Sequence, residues 1–154
     1  MTVEDDISFF ERVPTLSHLG RQALRILAIG AQTRYVHGGD VLFKAGDEGD
    51  GGFVVQEGRF QLAPAGAEEG KAIVVGPHTL LGEIALFIEG TRPATATALE
   101  PSSVLFIPRP LFRKMLDSFP DSARKLRDMI AGRLTQSTRE ISELREVLAA
   151  YDRK

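Results

Sequence analysis

The feature that most constrains this chain is a series of short apolar segments between Tyr35 and Pro108, which glycine interrupts about every 8 to 15 residues. The segments are rich in Val, Ile and Phe, which favour strands, and they read DVLFKAG, GFVVQEG, RFQLAPAG, KAIVVGP, ATATALE and SSVLFIP. Turns are expected at Gly38-Gly39 and at 45–52, AGDEGDGG, because glycine accepts positive φ and aspartate bonds its own backbone. This rhythm predicts an all-β barrel or sandwich.

Helical periodicity precedes the β region. Residues 7–34 carry apolar side chains at steps of three and four, and Pro14 and Gly20 interrupt the pattern. The spacing therefore predicts two or three short helices before the first strand.

The segment after the strands is also predicted to be helical. RPLFRKMLDSFP indicates a helix that Pro120 closes, and we expect Asp121 to cap a long helix that runs to about Ala150. The long helix carries a heptad seam with one polar position, formed by Ile130, Leu134, Ser137, Ile141, Leu144, Leu148 and Tyr151. A parallel homodimer through this helix would bury the seam, and docking against the chain's own β region is the alternative.

Composition narrows the classes of function. The 154 residues, 43% of them hydrophobic, suffice for one compact domain. With 19 basic and 21 acidic residues the net charge is −2, so the overall balance does not attract nucleic acid or an anionic membrane. The acidic N-terminus does not match a secretory signal, and no apolar run approaches the roughly 20 residues of a membrane span. We expect a cytoplasmic protein.

No catalytic or metal-binding constellation is evident in the sequence. The chain has no cysteine, which excludes disulfides, thiolate metal sites and cysteine nucleophiles. His18, His37 and His78 are too scattered to indicate a metal site, and His78 is interpreted as a surface histidine. We expect a protein that is not an enzyme and that carries no metal or cofactor.

The segment LLGEIALFIEGTRPATATA places one acid, Glu83, nine residues before one arginine, Arg92, among glycine, alanine and aliphatic residues. Gly82 would let the backbone approach a ligand, and a short helix after it would present free N–H groups and a positive dipole end to an anion. Arg92 would add a bidentate donor, which suits a phosphate. Glu83 would accept hydrogen bonds from sugar hydroxyls, so together the two residues describe a nucleotide site. Alternatively, Glu83 and Arg92 pair with each other and stabilise a turn.

This segment resembles the phosphate-binding cassette of the cyclic nucleotide-binding domain family, of the catabolite activator and protein kinase A regulatory subunit type. The residues that match the cassette in type and spacing are Gly82, Glu83, Ile84, Ala85, Leu86 and Arg92. The glycine-rich stretch GGDVLFKAGDEGDGGFVVQEG, from Gly38 to Gly58, is similar as well, so the likeness spans about residues 9–140.

The resemblance implies an α+β, mainly β fold: an eight-stranded double-stranded β-helix, that is, a jelly roll-like β-roll, with N-terminal helices and a long C-terminal helix. Residues 1–154 would form a single domain. It would consist of N-terminal helices at about 7–34, a β-roll at about 35–108 with the cassette at 82–95, and C-terminal helices at about 109–150.

The resemblance also implies roles for the cassette residues. Glu83 would accept from the ribose 2′-hydroxyl, the backbone N–H groups of Ile84 and Ala85 would face the sugar-phosphate, and Arg92 would bind the exocyclic phosphate. Pro93 and Ala94 complete the cassette.

Base contacts would come from the C-terminal helix. The segment RLTQST resembles the family segment that meets the base, which implicates Arg133, Ser137 and Thr138. A base contact would explain why the heptad seam contains Ser137. Alternatively, this serine is only a small polar residue that relaxes the packing of the seam.

Pro93 departs from the family pattern. The residue at this position usually offers the phosphate a backbone N–H and often a hydroxyl, and proline has neither. The loss of one charge-assisted hydrogen bond would weaken binding by roughly 1.5–3 kcal/mol, about ten- to a hundredfold. The missing hydroxyl also argues mildly against cGMP.

The resemblance therefore implies a regulatory sensor that binds cAMP, with cGMP as the second ligand, and acts through a homodimer or an unidentified downstream protein. Few residues follow the long helix, so we expect no DNA-binding domain, no direct contact with nucleic acid and no membrane association. One alternative is a degenerate β-roll that serves as a dimerisation or protein-interaction module without nucleotide binding. Another is a regulatory fragment of a channel, kinase or enzyme.

Overall fold

The computed structural model describes residues 2–65, 72–131 and 147. The helices are α1 (Val3–Phe10), α2 (Arg21–Gly30), α3 (Arg109–Ser118) and α4 (Pro120–Ala131), and a 3-10 helix spans Glu83–Leu86. The strands are β1 (Gln32–Val36), β2 (Val41–Phe43), β3 (Gly51–Glu57), β4 (Phe60–Pro64), β5 (Ile73–Val75), β6 (Leu80–Leu81), β7 (Ala94–Ala98) and β8 (Ser102–Pro108).

The strands form two antiparallel sheets of four strands each. The first sheet has the order β1-β8-β3-β6, and the second has the order β2-β7-β4-β5. Each segment that the glycine rhythm marked contains one of these strands. The mainly β class with flanking helices is therefore confirmed for the described residues. None of the described helices combines the length and the apolar character needed to cross a bilayer.

Strands β3 and β8, in the centre of the first sheet, are buried on both faces, whereas β1 at its edge is largely exposed. Val54 and Leu105 pack with the helices in one core, whereas Phe53 and Phe106 pack against residues of the second sheet in another. Successive side chains of a strand point to opposite faces, so one strand serves both cores. The 3-10 helix joins the helical core through Leu86. This arrangement fixes the cassette between the helices and the sheets.

The N-terminal boundaries differ from those expected. Helix α1 already begins at Val3, because Thr2 and Asp5 form a capping box at its N-terminus. The backbone becomes extended at Ala31, and strand β1 begins at Gln32. The helical region predicted for residues 7–34 was therefore wrong at both ends, although it does contain α2 and the second half of α1.

The prediction of a turn across 45–52 was wrong at its C-terminal end. Gly51 and Gly52 belong to β3 and pair with β8. A β-carbon on Gly51 would lie 2.2 Å from the carbonyl oxygen of Ile107. Gly51 thus permits a close approach between two central strands, whereas a β-carbon on Gly52 would meet the side chains of Leu80 and Leu86. The turn ends before both glycines.

The C-terminal helices begin as expected but divide differently. Helix α3 ends at Ser118, and Pro120 opens α4, which suits the first position of a helix because its missing N–H has no acceptor there. Asp121 lies in the first turn of α4 and is not the cap that was predicted. The seam side chains from Ile130 to Tyr151 lie outside the described residues, and so does the end of the long helix. The homodimer stays a prediction.

His78 is not a simple surface residue. It is half-buried, it has a φ of 72°, and its ring stacks on Phe9 of α1 with 4.4 Å between the centroids. Its N–H donates to the carbonyl of Val55 at 2.9 Å. The loop before the cassette is thereby attached both to a strand and to the first helix.

Replacing Gly51 with alanine tests the close approach of β3 to β8. We expect Gly51→Ala to lower the free energy of unfolding in urea by about 1–3 kcal/mol, because the new methyl group overlaps a backbone oxygen that cannot rotate away. Gly76→Ala is the control, since its nearest neighbour would be 3.9 Å away. A Gly51→Ala protein as stable as Gly76→Ala would contradict this account of the sheet.

Candidate functional site

The cassette starts at a glycine in a left-handed conformation. Gly82 has φ 74° and ψ 35° and directly precedes the 3-10 helix Glu83–Leu86, so the expected short helix is present. The N–H of Ala85 donates to the carbonyl of Gly82 at 3.1 Å. The Ala85 N–H, which the resemblance assigned to the sugar-phosphate, therefore closes the turn in this structure.

Arg92 is the central side chain of the site. It is 4% exposed, and its guanidinium lies over Phe43 and Phe53, at 4.5 and 5.4 Å from the ring centroids. Its Nη2 approaches Oδ1 of Asp50 at 3.4 Å. Within the described part of the chain, its Nε and Nη1 are buried without a hydrogen-bond partner. Unpaired buried donors are rare and unfavourable, so this guanidinium could still bind an acceptor that is not among the described residues.

The pKa of Arg92 also indicates that its positive charge is incompletely compensated. Burial lowers the pKa of Arg92 from its usual value, Asp50 and Asp47 oppose that change, and the positive charge of Arg109 adds to it. An arginine remains protonated in proteins. The lowered pKa therefore means that nearby carboxylates do not fully offset the cost of burying this cation. An incoming anion would supply that charge.

Backbone hydrogen bonds hold Arg92 in place. Its N–H donates to the carbonyl of Asp47 at 2.7 Å, and its own carbonyl accepts from Gly46 at 2.8 Å. Gly49 donates to the carbonyl of Gly90 at 2.9 Å. The loop between β2 and β3 therefore pairs with the end of the cassette and orients the arginine.

Small residues surround the guanidinium. A β-carbon on Gly82 would lie 2.1 Å from Nη1 of Arg92, and one on Gly49 would lie 2.9 Å from the β-carbon of Ala85. Any larger residue at Gly82 would therefore collide with the arginine. The spacing of the cassette indicated small residues at Gly82 and Ala85, whereas no sequence pattern pointed to Gly49.

Glu83 has a different partner from Arg92. Its Oε2 accepts a hydrogen bond from the hydroxyl of Thr15 at 2.5 Å, and Thr15 is buried in the segment between α1 and α2. The described contacts thus connect Arg92 to Asp50 and Glu83 to Thr15, in place of the mutual ion pair considered as an alternative. The two charges remain directed to separate positions in the site.

The remaining cassette residues lead into the second sheet. Pro93 is exposed, and its carbonyl accepts from the N–H of Ala65 at 3.0 Å. Ala94 begins β7. Ile84 and Leu86 pack with the helical core. Arg133, Ser137 and Thr138, the predicted base contacts, lie outside the described residues.

Three residues of the site were not identified from the sequence. Asp50 pairs with Arg92, Thr15 binds Glu83, and Arg109 donates from Nε to the carbonyl of Ala85 at 2.8 Å. Asp50 could have been found, because it lies in the glycine-rich stretch that resembles the family, although there it was interpreted as turn chemistry. No sequence pattern around Thr15 or Arg109 indicates that either residue belongs to the site.

Comparison with known proteins agrees with this geometry. The family model for the cyclic nucleotide-binding domain matches residues 33–119, which is more than half of the chain. The chain belongs to the cyclic nucleotide-binding domain family. Domains of this family are regulatory rather than catalytic.

Relatives of this cyclic nucleotide-binding domain include whole proteins of several kinds. A cyclic AMP receptor protein of Thermus thermophilus is 30% identical over 115 residues, 73% of this chain and 53% of the receptor. A putative potassium channel protein of Rhodopseudomonas palustris is 27% identical over 138 residues, 89% of this chain and 34% of the channel. This chain therefore corresponds to only part of each of these relatives.

A solved structure has the same fold. The crystal structure of the N-terminal domain of a transcriptional regulator from Streptomyces coelicolor A3(2) superposes with a TM-score of 0.71 at 32% identity, covering 82% of this chain and 90% of that domain.

The unpaired donors of Arg92 lead to a prediction about stability. We expect Arg92→Met to raise the free energy of unfolding of the ligand-free domain by about 1–3 kcal/mol, because an apolar side chain removes two unsatisfied buried donors. Urea denaturation of Arg92→Met against wild type measures the change. The exposed Arg12→Met is the control and should stay within about 0.5 kcal/mol of wild type. A destabilised Arg92→Met would show that these donors are satisfied in the ligand-free protein.

Proposed function

We propose that this domain is a regulatory sensor that binds a cyclic nucleotide, with Arg92 at the exocyclic phosphate and Glu83 at the ribose 2′-hydroxyl. The observation that carries the proposal is the buried guanidinium of Arg92, whose Nε and Nη1 lack acceptors within the described residues. A cyclic phosphodiester has one negative charge and two free oxygens. It therefore matches both the charge and the number of the unpaired donors.

Charge compensation supports an anion at this position. The carboxylate partner of Arg92, Asp50, is 3.4 Å away and its side chain is 73% exposed, so water weakens their interaction. A phosphate bound directly to the buried guanidinium would interact in a less polar environment and therefore more strongly. Asp50 would then keep the arginine oriented without competing fully for it.

The hydrogen bond of Glu83 to Thr15 supports its proposed role at the ribose hydroxyl. Its contact with the Thr15 hydroxyl shows that the carboxylate accepts from an alcohol in this geometry. A ribose hydroxyl is chemically the same donor. Either of the two carboxylate oxygens could accept it, because an ionised carboxylate has about four acceptor positions.

cAMP is the proposed ligand, and cGMP is the second. Pro93 has no hydroxyl for a guanine nucleotide, and one relative is named a cyclic AMP receptor protein. The residues proposed for the base, Arg133, Ser137 and Thr138, remain part of this proposal.

The wider architecture belongs to the proposal as well. We propose a single domain over residues 1–154, without catalysis, whose jelly roll topology is supported by the strand orders of its two sheets. Signalling would proceed through closure of the C-terminal helices, a homodimer formed by them and a downstream protein in the cytoplasm. The ligand must bind the closed arrangement more tightly, and a tenfold preference corresponds to about 1.4 kcal/mol.

Isothermal titration calorimetry with cAMP and cGMP tests the proposal. Wild type should show saturable binding, with cAMP the tighter ligand. Arg92→Met should bind at least about a hundredfold more weakly, because two charge-assisted hydrogen bonds are lost, while Arg12→Met should bind like wild type. Since Arg92→Met is expected to be stably folded, loss of binding would not reflect unfolding. No heat from wild type at millimolar nucleotide would overturn the proposal and favour the dimerisation or interaction module, for which Pro93 is the supporting observation.

Pro93 gives a second binding prediction. Pro93→Ala restores the backbone N–H alone, and Pro93→Ser restores both the N–H and a hydroxyl. We expect Pro93→Ala to tighten cAMP binding about ten- to a hundredfold, through one charge-assisted hydrogen bond, and Pro93→Ser to improve cGMP binding more than Pro93→Ala does. Unchanged dissociation constants in the same calorimetric titration would show that residue 93 does not face the phosphate.

A further inference from the structure

Arg109, the first residue of α3, connects the two segments that flank Arg92. Its Nε donates to the carbonyl of Ala85 in the cassette at 2.8 Å, and its Nη2 donates to the carbonyl of Gly49 in the loop between β2 and β3. Its backbone N–H donates to the carbonyl of Asp50 at 2.9 Å. One residue thus holds three carbonyl oxygens from two different parts of the site.

Two of these carbonyls belong to Gly49 and Ala85, the small residues on the Arg92 side of the contact. A β-carbon on Gly49 would lie 3.4 Å from Nε of Arg92 and 2.9 Å from the β-carbon of Ala85. Gly49 therefore lies next to the Arg92 guanidinium, and Ala85 lies next to Gly49. A carbonyl oxygen is a strong acceptor, and an unpaired buried donor strongly favours capturing one.

We propose that Arg109 is a positioning residue of the anion site, which keeps the carbonyl oxygens of Gly49 and Ala85 away from Arg92 so that its donors stay available for the phosphate. The inference rests on the proposed function and extends it. Without Arg109, these carbonyls are free to turn towards Arg92, where they would satisfy its donors and present negative partial charge to an incoming anion. The positive charge of Arg109 also adds to the attraction for that anion, since it is near enough to lower the pKa of Arg92.

The fork geometry of arginine is essential to this role. A guanidinium directs several N–H groups in fixed directions and can hold two carbonyls at once, whereas a lysine ammonium keeps the charge without the planar fork. Arg113, one turn later on α3, makes a similar contact with the carbonyl of Phe87 at 2.6 Å. Phe87 packs edge-on against Phe112 in the helical core. Arg113 is thus a matched arginine that ties the same helix to the cassette without holding a carbonyl beside Arg92.

The position of Arg109 also allows chemical rescue. It lines an open cavity of about 480 Å³ together with Glu48, Gly49, Asp50, Glu89, Gly90 and Thr91. A small cation from solution can reach the space that a truncated Arg109 would leave, and the acidic residues around the cavity favour its entry.

The test is calorimetric titration of cAMP into wild type, Arg109→Ala, Arg109→Lys and Arg113→Ala, with and without methylguanidinium at concentrations that leave the wild-type affinity unchanged. We expect Arg109→Ala to weaken binding about tenfold or more, Arg109→Lys to weaken it less, and Arg113→Ala to stay within about threefold of wild type. Methylguanidinium should restore part of the cAMP affinity of Arg109→Ala and should not change the cAMP affinity of Arg113→Ala.

Several outcomes would overturn the proposal. If Arg109→Ala binds as tightly as Arg113→Ala, or if methylguanidinium does not restore its affinity, Arg109 is only a structural link. If Arg109→Ala does not fold, Arg109→Lys takes its place, and wild-type affinity in that variant would overturn the role of the fork. Absence of binding in wild type would overturn the proposed function itself and this inference with it, whereas intact wild-type binding with an inert Arg109 would overturn this inference alone.

Discussion

The rest of the site depends on a buried guanidinium whose Nε and Nη1 have no acceptor among the residues that the structure describes. Arg92 is covered by Phe43 and Phe53 and is paired only loosely with the exposed Asp50 among the described residues. Such a group disfavours the ligand-free state, because two of its nitrogens are buried away from water and find no partner within the described part of the chain. The cassette glycine, the adjacent small residues and the loop between β2 and β3 all keep this donor arrangement open.

The fold makes such an arrangement possible by anchoring both sides of the cassette. The 3-10 helix packs into the helical core through Leu86, while Leu81 just before it packs between the sheets. Thr15 and Arg109 add polar links from the N-terminal segment and from α3. A change at the ligand site would therefore reach both the N-terminal segment and α3, which pack in the same helical core, and such coupling is the property that a regulatory domain requires.

Local sequence patterns predicted six of the eight described strands, all but β1 and β6, and the short helix after Gly82, because these features depend on periodicity and on close spacing. They failed where a residue has more than one structural use. Gly51 and Gly52 were assigned to a turn, although both belong to β3 and Gly51 permits two central strands to approach. Asp50, Thr15 and Arg109 contact residues far away in sequence, and only the three-dimensional arrangement brings such partners together.

The most direct test of the central claim is the side-chain NMR signal of Arg92 Nε–H during titration with cAMP, with adenosine as the uncharged comparison. We expect cAMP, but not adenosine, to shift this signal strongly and to slow its exchange with water, because the cyclic phosphate becomes the missing acceptor. An Arg92 signal that is unchanged at saturating cAMP, or one that responds equally to adenosine, would contradict the claim that this guanidinium is held ready for an anion.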